Sequence, residues 1–128
     1  MILIDTSIWI PFLKQEKPVS DFVLYLIESQ EVVTIELVFA ELLQGARNQK
    51  ERQLINAYYD CLPHLEEKNL LLKAGEMSSV QNLISKGLGL IDSALIYLAK
   101  SREAQVWTLD KALKKELAHL SYEPRLQA

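Results

Sequence analysis

The chain has few of the residues that stabilise secreted proteins or bind zinc. It contains one cysteine, Cys61, and two histidines, His64 and His119. No disulfide can therefore form within it, and a zinc site built from Cys and His is not expected. We expect Cys61 to be a small buried residue and both histidines to be structural or exposed. No uninterrupted apolar run approaches the roughly 18 residues that a membrane span needs. The first residues, Met1 to Asp5, lack the basic region and long apolar region of a signal peptide, so we expect a soluble, cytoplasmic protein without a cleaved leader.

Excess positive charge is also absent. The formal net charge is -3 and the sequence pI is about 5.4, so no global basic field indicates a nucleic-acid partner. Any polyanion would have to be held by a local patch. The candidate phosphate-binding residues, each of which could equally be an ordinary solvated charge, are Lys14, Arg47, Lys86, Lys111, Lys114 and Lys115. The serine-nucleophile, Walker and dinucleotide signatures are missing as well.

The residues that are present predict one α/β domain over 1-128. Hydrophobic residues make up 49% of the chain, which suffices for a single buried core. Short β-branched or apolar runs predict strands at 2-4, 32-35 and 105-109, with a further short strand at 64-66. Helical periodicity predicts a helix start after Asp5 and helices at 22-28, 37-46, 50-62, 70-85, 91-102 and 111-119. This alternation predicts a parallel sheet covered by helices on both faces.

Two acidic residues directly follow predicted strands. Asp5 comes after the strand at 2-4, and Asp110 comes after the strand at 105-109. Because ligands of open α/β sheets collect beyond the carboxyl ends of the strands, both residues are expected at one rim of the sheet. An Asp between a strand and a helix is also a preferred helix N-cap, so capping is an equal alternative for each.

Two further acidic residues share helix faces with apolar residues. Glu41 has Leu37 and Val38 one turn before it, and Asp92 has Ile96 one turn after it. Since an unpaired buried ion is costly, these carboxylates are expected to have a partner. Carboxylate ligands suit Mg²⁺ or Mn²⁺, and the pattern predicts a metal-dependent hydrolase. The alternatives are a helix-start role for Asp92 and a salt bridge from Arg47.

At these residues the chain resembles the PIN-domain nucleases, and among them the VapC-type ribonuclease toxins of toxin-antitoxin pairs. The matching segments occur in the family's order and span nearly the whole chain. They are Ile4-Asp5-Thr6-Ser7, Ala40-Glu41-Leu42-Leu43-Gln44-Gly45, Ile91-Asp92-Ser93-Ala94-Leu95-Ile96 and Thr108-Leu109-Asp110.

The resemblance implies a three-layer α/β/α PIN-like fold with a central parallel sheet. It also implies an acidic centre of Asp5, Glu41, Asp92 and Asp110 that binds one or two Mg²⁺ or Mn²⁺ ions and hydrolyses RNA. Ser7, Thr108 and Thr6 would position the metal shell or the substrate, although helix capping explains these hydroxyls equally well.

The resemblance further implies a homodimer and an inhibitory antitoxin that covers an apolar groove. Aromatic contributors to that groove would be Trp9, Phe12, Tyr58 and Tyr59, although helical spacing fits core residues better. Two other functions fit the same sequence. One is a PIN nuclease of RNA processing without an antitoxin, and the other is a catalytically silent PIN-like binding module whose acidic residues serve as caps and salt bridges.

Overall fold

The computed structural model describes residues 1-125, which form a parallel sheet surrounded by helices. Strand β1 (Ile2–Ile4) lies between β2 (Val32–Val33) and β3 (Gln105–Trp107), in the order β2-β1-β3. Leu3 is paired with Val33 on one side and with Val106 on the other. Because both pairings are parallel, the carboxyl ends of all three strands lie at the same edge. The predicted parallel α/β sheet is confirmed.

Helices follow the strands in the predicted alternation. They are α1 (Thr6–Leu13), α2 (Val19–Glu28), α3 (Glu36–Gln44), α4 (Gln49–Cys61), α5 (Leu70–Gln81), α6 (Leu90–Arg102) and α7 (Lys111–Leu117). Short 3-10 turns occupy Ile84–Lys86 and Ala118–Leu120. Together with the sheet, the helices form the expected three-layer α/β/α architecture. Within residues 1-125, no helix is both long and apolar enough to cross a bilayer.

Each outer strand has one further pairing partner. Thr34, just beyond β2, forms a parallel bridge with His64, and Val106 in β3 forms one with Ser121. The predicted strand at 64-66 is therefore reduced to a single bridge, in which Thr34 N donates to Pro63 O at 2.9 Å and Leu65 N donates to Thr34 O at 2.8 Å.

The core contains two of the aromatic residues that were considered as antitoxin contacts. Trp9 and Phe12 are buried, and the Trp9 ring packs edge-on against Phe12 and Phe39 at centroid distances of 5.5 and 5.2 Å. Tyr58 and Tyr59 are half-buried against the same cluster. Trp9 and Phe12 are therefore core residues, which follows from their helical spacing on the buried face of α1.

Cys61 differs from expectation because it is exposed. It is the last residue of α4, six positions after the buried Ile55. Six residues correspond to about 240° around a helix, so the two side chains point in different directions. His64 is exposed, as expected, and its ring stacks on Tyr59 while Nε2 lies 2.6 Å from the Tyr59 carbonyl. His119 is also exposed.

Candidate active site

Asp5 lies at the carboxyl end of β1 and is 7% exposed. It occupies the N-cap position of α1, but its carboxylate makes no capping hydrogen bond. Instead, its Oδ2 accepts hydrogen bonds from Thr108 Oγ1 at 2.7 Å and Ser7 Oγ at 2.9 Å. The capping alternative is therefore wrong for this side chain. Two hydroxyl groups fix one carboxylate oxygen of Asp5, which leaves Oδ1 with only a long contact from Thr6 Oγ1 at 3.5 Å.

The same hydroxyl groups tie the end of β3 to the start of α1. Leu109 N donates to Ser7 Oγ at 3.0 Å, and Asp110 N donates to Thr108 Oγ1 at 3.1 Å. The two hydroxyl oxygens are 3.3 Å apart. Thr108 is fully buried, so its hydroxyl depends on these partners for its hydrogen bonds. Ser7 and Thr108 thus hold Asp5 and the segment that carries Asp110 in one arrangement.

Asp110 is exposed and caps α7. Its Oδ1 accepts a hydrogen bond from Leu113 N at 2.9 Å, as expected of an Asp at a helix N-cap. Capping, the alternative considered for this residue, is therefore observed. The second oxygen, Oδ2, accepts no hydrogen bond from residues 1-125 and remains free to bind a ligand.

Asp92 and Glu41 approach the rim from two helices. Asp92 is half-buried in the first turn of α6, and its Oδ2 lies 3.4 Å from Gly89 N, which gives it the helix-start role considered as an alternative. Glu41 on α3 is exposed. Val38 and Leu42 on the same helix are buried, so Glu41 lies beside the buried stripe while its own side chain is exposed.

The other three carboxylates lie within electrostatic range of Asp92 and act on its pKa. Burial raises this pKa above its ordinary value, and the Gly89 N–H lowers it by hydrogen bonding. The negative charges of Asp5, Asp110 and Glu41 then each raise it further. The acidic residues that follow β1 and β3 and those on α3 and α6 therefore lie in one region of the molecule.

Protein cations do not neutralise this cluster. In the part of the chain that the structure describes, none of the four carboxylates forms an ion pair with Lys or Arg. Arg47, the partner considered from the sequence, binds Glu51 instead, with Nη2 2.9 Å and Nε 3.1 Å from Oε1. Lys86 pairs with Glu116 and Lys114 pairs with Glu123.

A divalent cation fits the chemistry of this cluster. Each of the four carboxylates keeps at least one oxygen without a short hydrogen bond, and hard oxygen donors are the ligands that Mg²⁺ and Mn²⁺ prefer. Across residues 1-125, however, no three His, Cys, Asp or Glu side chains form a group that could hold an ion. Like charges favour separated carboxylates in the absence of a counterion. Metal binding would therefore require these carboxylates to move closer together.

A groove of about 670 Å³ opens beside the acidic cluster, between α1, α3 and α4. Its aliphatic lining consists of Ile10, Leu13, Leu42, Ala46, Leu54 and Ile55. Its polar and charged lining consists of Thr6, Lys14, Glu41, Arg47 and Glu51. We call this feature the α1–α3–α4 groove. Sequence reasoning did not locate it, because the lining residues come from three helices whose relative placement no local pattern specifies.

The comparison with protein-family models decides the family. The model of the PIN domain matches residues 2–116 of the chain. The chain belongs to the PIN-domain family. The crystal structure of PAE2754 from Pyrobaculum aerophilum is similar to this PIN domain, with a TM-score of 0.61 and 13% sequence identity over 91% of this chain and 86% of that one. No curated protein matches the sequence.

The family assignment confirms the resemblance at its coarser level. PIN domains are generally nucleases and typically use divalent metals. The four segments that carried the resemblance lie within the matched residues and supply the four carboxylates of the cluster.

Proposed function

We propose that this PIN domain is a metal-dependent endoribonuclease that hydrolyses RNA phosphodiester bonds. The proposal rests on Asp5 and Asp110, which hydrogen bonds of Thr108 join at the carboxyl edge of a parallel sheet, and on Asp92 and Glu41 within electrostatic range, all without a protein cation to neutralise them. A cluster that uses its acidic residues only as caps and salt bridges would leave neither Asp5 nor Glu41 without such a partner.

The four carboxylates would together hold Mg²⁺ or Mn²⁺. When bound, the ion supplies the positive charge that offsets the cluster, and it lowers the pKa of the water that attacks phosphorus. Ser7 and Thr108 occupy Oδ2 of Asp5 and so leave Oδ1 as its ligand atom. The α7 cap likewise leaves Oδ2 of Asp110 available. Thr6 lies between Asp5 and the groove, where it can contact substrate.

An RNA cleavage assay tests the proposal. We expect the wild-type protein to cut single-stranded RNA in Mg²⁺ or Mn²⁺ and to lose activity in chelator. Asp5→Asn and Asp92→Asn should each reduce the cleavage rate on the order of 100-fold or more. Losing a residue that only supports a metal ligand already costs about 10- to 100-fold, and losing a ligand should cost at least as much. Circular dichroism should show that both variants remain folded.

Asp60→Asn is the matched control. Asp60 is an exposed acidic residue near the carboxyl end of α4, nine positions and about 13 Å along the helix from Glu51 at the groove. This variant should keep wild-type activity. Metal-independent cleavage, or full activity of both Asp5→Asn and Asp92→Asn, would overturn the proposed mechanism.

We further propose that the nuclease is the cytoplasmic toxin of a type II toxin-antitoxin pair and acts as a homodimer. The ordered set of matching segments supports the toxin assignment, and an antitoxin segment that covers the groove would inhibit by keeping RNA from the acidic cluster beside it. Exposed Leu72, Val80 and Ile84, on α5 and the 3-10 turn after it, offer an apolar surface for a second copy.

Growth arrest on expression, relieved by the product of a small neighbouring reading frame, would support the toxin assignment. Absence of such a frame would favour the RNA-processing alternative.

A further inference from the structure

The α1–α3–α4 groove is continuous with the acidic cluster. Glu41 belongs to both, and Thr6, which lines the groove, contacts Asp5. If the cluster cuts RNA, as proposed above, a strand leaving it on this side enters the groove. The groove is then the first surface that meets the nucleotides next to the scissile phosphodiester.

One cation of the groove has no counterion in the described part of the chain. Glu51 binds Arg47 through three hydrogen bonds, two from the guanidinium and one from Arg47 N at 2.8 Å, so their charges cancel. Glu41 belongs to the acidic cluster. Lys14, at the carboxyl end of α1, is exposed and forms no ion pair with residues 1-125. Its ammonium group is therefore available to a phosphate.

The charge of Lys14 also distinguishes RNA from an apolar peptide as the ligand of this groove. A wholly apolar segment would cover an ammonium group without pairing it, which costs free energy. An RNA strand carries one phosphate per nucleotide, which can pair with Lys14, while a base face can pack on aliphatic side chains such as Ile10 and Leu54.

We propose that Lys14 binds the backbone phosphate of a nucleotide adjoining the cleavage site, and that the α1–α3–α4 groove receives this single-stranded segment. Lys14 is then a substrate-positioning residue, which acts on RNA binding and not on the chemical step.

Kinetics and binding of Lys14→Ala test the proposal. With a short single-stranded RNA, KM should rise about tenfold, as expected for the loss of one charge-assisted contact, while kcat stays within about twofold. In the Asp5→Asn background, affinity for a fluorescent RNA should fall by a similar factor. The slope of log K against log salt should become shallower by about 0.7, the value expected for one lost phosphate contact on a single strand.

Two further variants and a set of truncated substrates localise the effect. Lys14→Arg should keep affinity and salt slope close to wild type, because it retains the charge. Lys68→Ala is the matched control, because Lys68 is exposed and far from the acidic cluster. Its neighbour Glu67 binds Arg102 at the end of α6, about 15 Å along that helix from Asp92. Shortening the RNA on one side of the cut should abolish the difference between wild type and Lys14→Ala, and shortening it on the other side should not.

The outcomes separate this inference from the proposed function. If the wild type cuts RNA and Lys14→Ala has unchanged KM, affinity and salt slope, the groove does not bind RNA and only the inference fails. If the wild type binds RNA in a Lys14-dependent manner without cutting it, the inference stands and the nuclease function fails. Absence of both binding and cleavage overturns both.

Discussion

At the scale of single residues, Asp92 shows the effect of repulsion between the carboxylates. It is half-buried at the start of α6, and it lies near three other negative charges and no paired cation. Burial and the three carboxylates raise the pKa of Asp92, so the metal-free protein binds its proton more tightly than the unfolded chain does. The ionised carboxylates therefore lower the stability of the metal-free protein.

This pKa predicts a pH-dependent stability difference between the wild type and Asp92→Asn. The pKa of Asp92 in the folded protein lies above its ordinary value near 3.8. Protonation of Asp92 therefore stabilises the folded protein fully below pH 3.8, and this stabilisation is lost as the pH rises through the folded pKa. In chelator at neutral pH, Asp92→Asn should therefore raise the free energy of unfolding, because it removes the ionised carboxylate. Asn can still accept the hydrogen bond from Gly89.

Urea denaturation of both proteins at about five pH values from roughly 3.5 to 7.5 measures this difference in the free energy of unfolding. The advantage of Asp92→Asn should shrink toward zero at the acidic end, where the wild-type carboxyl group is protonated. An Asp92→Asn protein less stable than wild type at neutral pH would show that the repulsion inferred from the pKa is not felt by the folded chain.

At the scale of elements, the ends of β1 and β3 are joined by side chains. Beyond Trp107 the chain leaves the sheet, and Thr108 and Ser7 hydroxyls take up the N–H groups of Asp110 and Leu109. The strand predicted at 105-109 ends early for this reason. The strand predicted at 32-35 likewise ends at Val33, because Thr34 pairs with the segment around His64 and Ile35 is the N-cap of α3.

Thr108→Val tests this join. The variant keeps the shape of the side chain but removes the hydroxyl that donates to Asp5 and accepts from Asp110 N. We expect it to lower the free energy of unfolding by about 1 to 3 kcal/mol, because buried partners lose a hydrogen bond. Cleavage should fall about 10- to 100-fold through misplacement of Asp5. Denaturation and cleavage assays measure the two effects.

Thr108→Ser is the control, since it retains the hydroxyl group and removes one methyl. It should recover most of the cleavage rate lost in Thr108→Val, even if some stability is lost with the methyl. Equal activity of Thr108→Val and the wild type would mean that Ser7 alone fixes Asp5.

The helices were predictable from local periodicity, but their ends were not. The helix predicted at 70-85 stops at Gln81, because Asn82 adopts the left-handed conformation with φ of 54°. A turn of 3-10 helix at Ile84–Lys86 follows. Asn tolerates this conformation better than most residues, yet its presence in a helical pattern does not require the break. Helix α5 packs against α6, and no local sequence pattern shows this contact.

At the scale of the whole molecule, the acidic cluster links metal binding to folding. It draws on three segments far apart in sequence and on the rim of the sheet, so an ion bound there would favour the folded chain over the unfolded one. The sequence could predict that Asp5 and Asp110 lie at one edge, because the carboxyl ends of parallel strands share an edge. That Glu41 and Asp92 join them was implied only by the resemblance. The sequence could not predict the exposure of Glu41 or the groove, which depend on helix packing.

Metal addition should therefore stabilise the protein. At a free Mn²⁺ or Mg²⁺ concentration 100 times the dissociation constant, the free energy of unfolding should rise by about 2.7 kcal/mol. Thermal unfolding with and without chelator measures the change. Asp5→Asn should lose most of it, and Asp60→Asn should keep it. A melting temperature that is independent of metal in the wild type would contradict a site at this cluster.

The single bridges at the sheet edges have a consequence for aggregation. A three-stranded sheet has two open edges, and unpaired backbone groups along such edges can recruit strands from other molecules. His64 on one side and Ser121 on the other cover part of each edge, and Tyr122 N donates to Val106 O at 2.8 Å. The segment after α7 therefore shields β3 from intermolecular strand addition, and a chain truncated before Ser121 should self-associate through that uncovered strand.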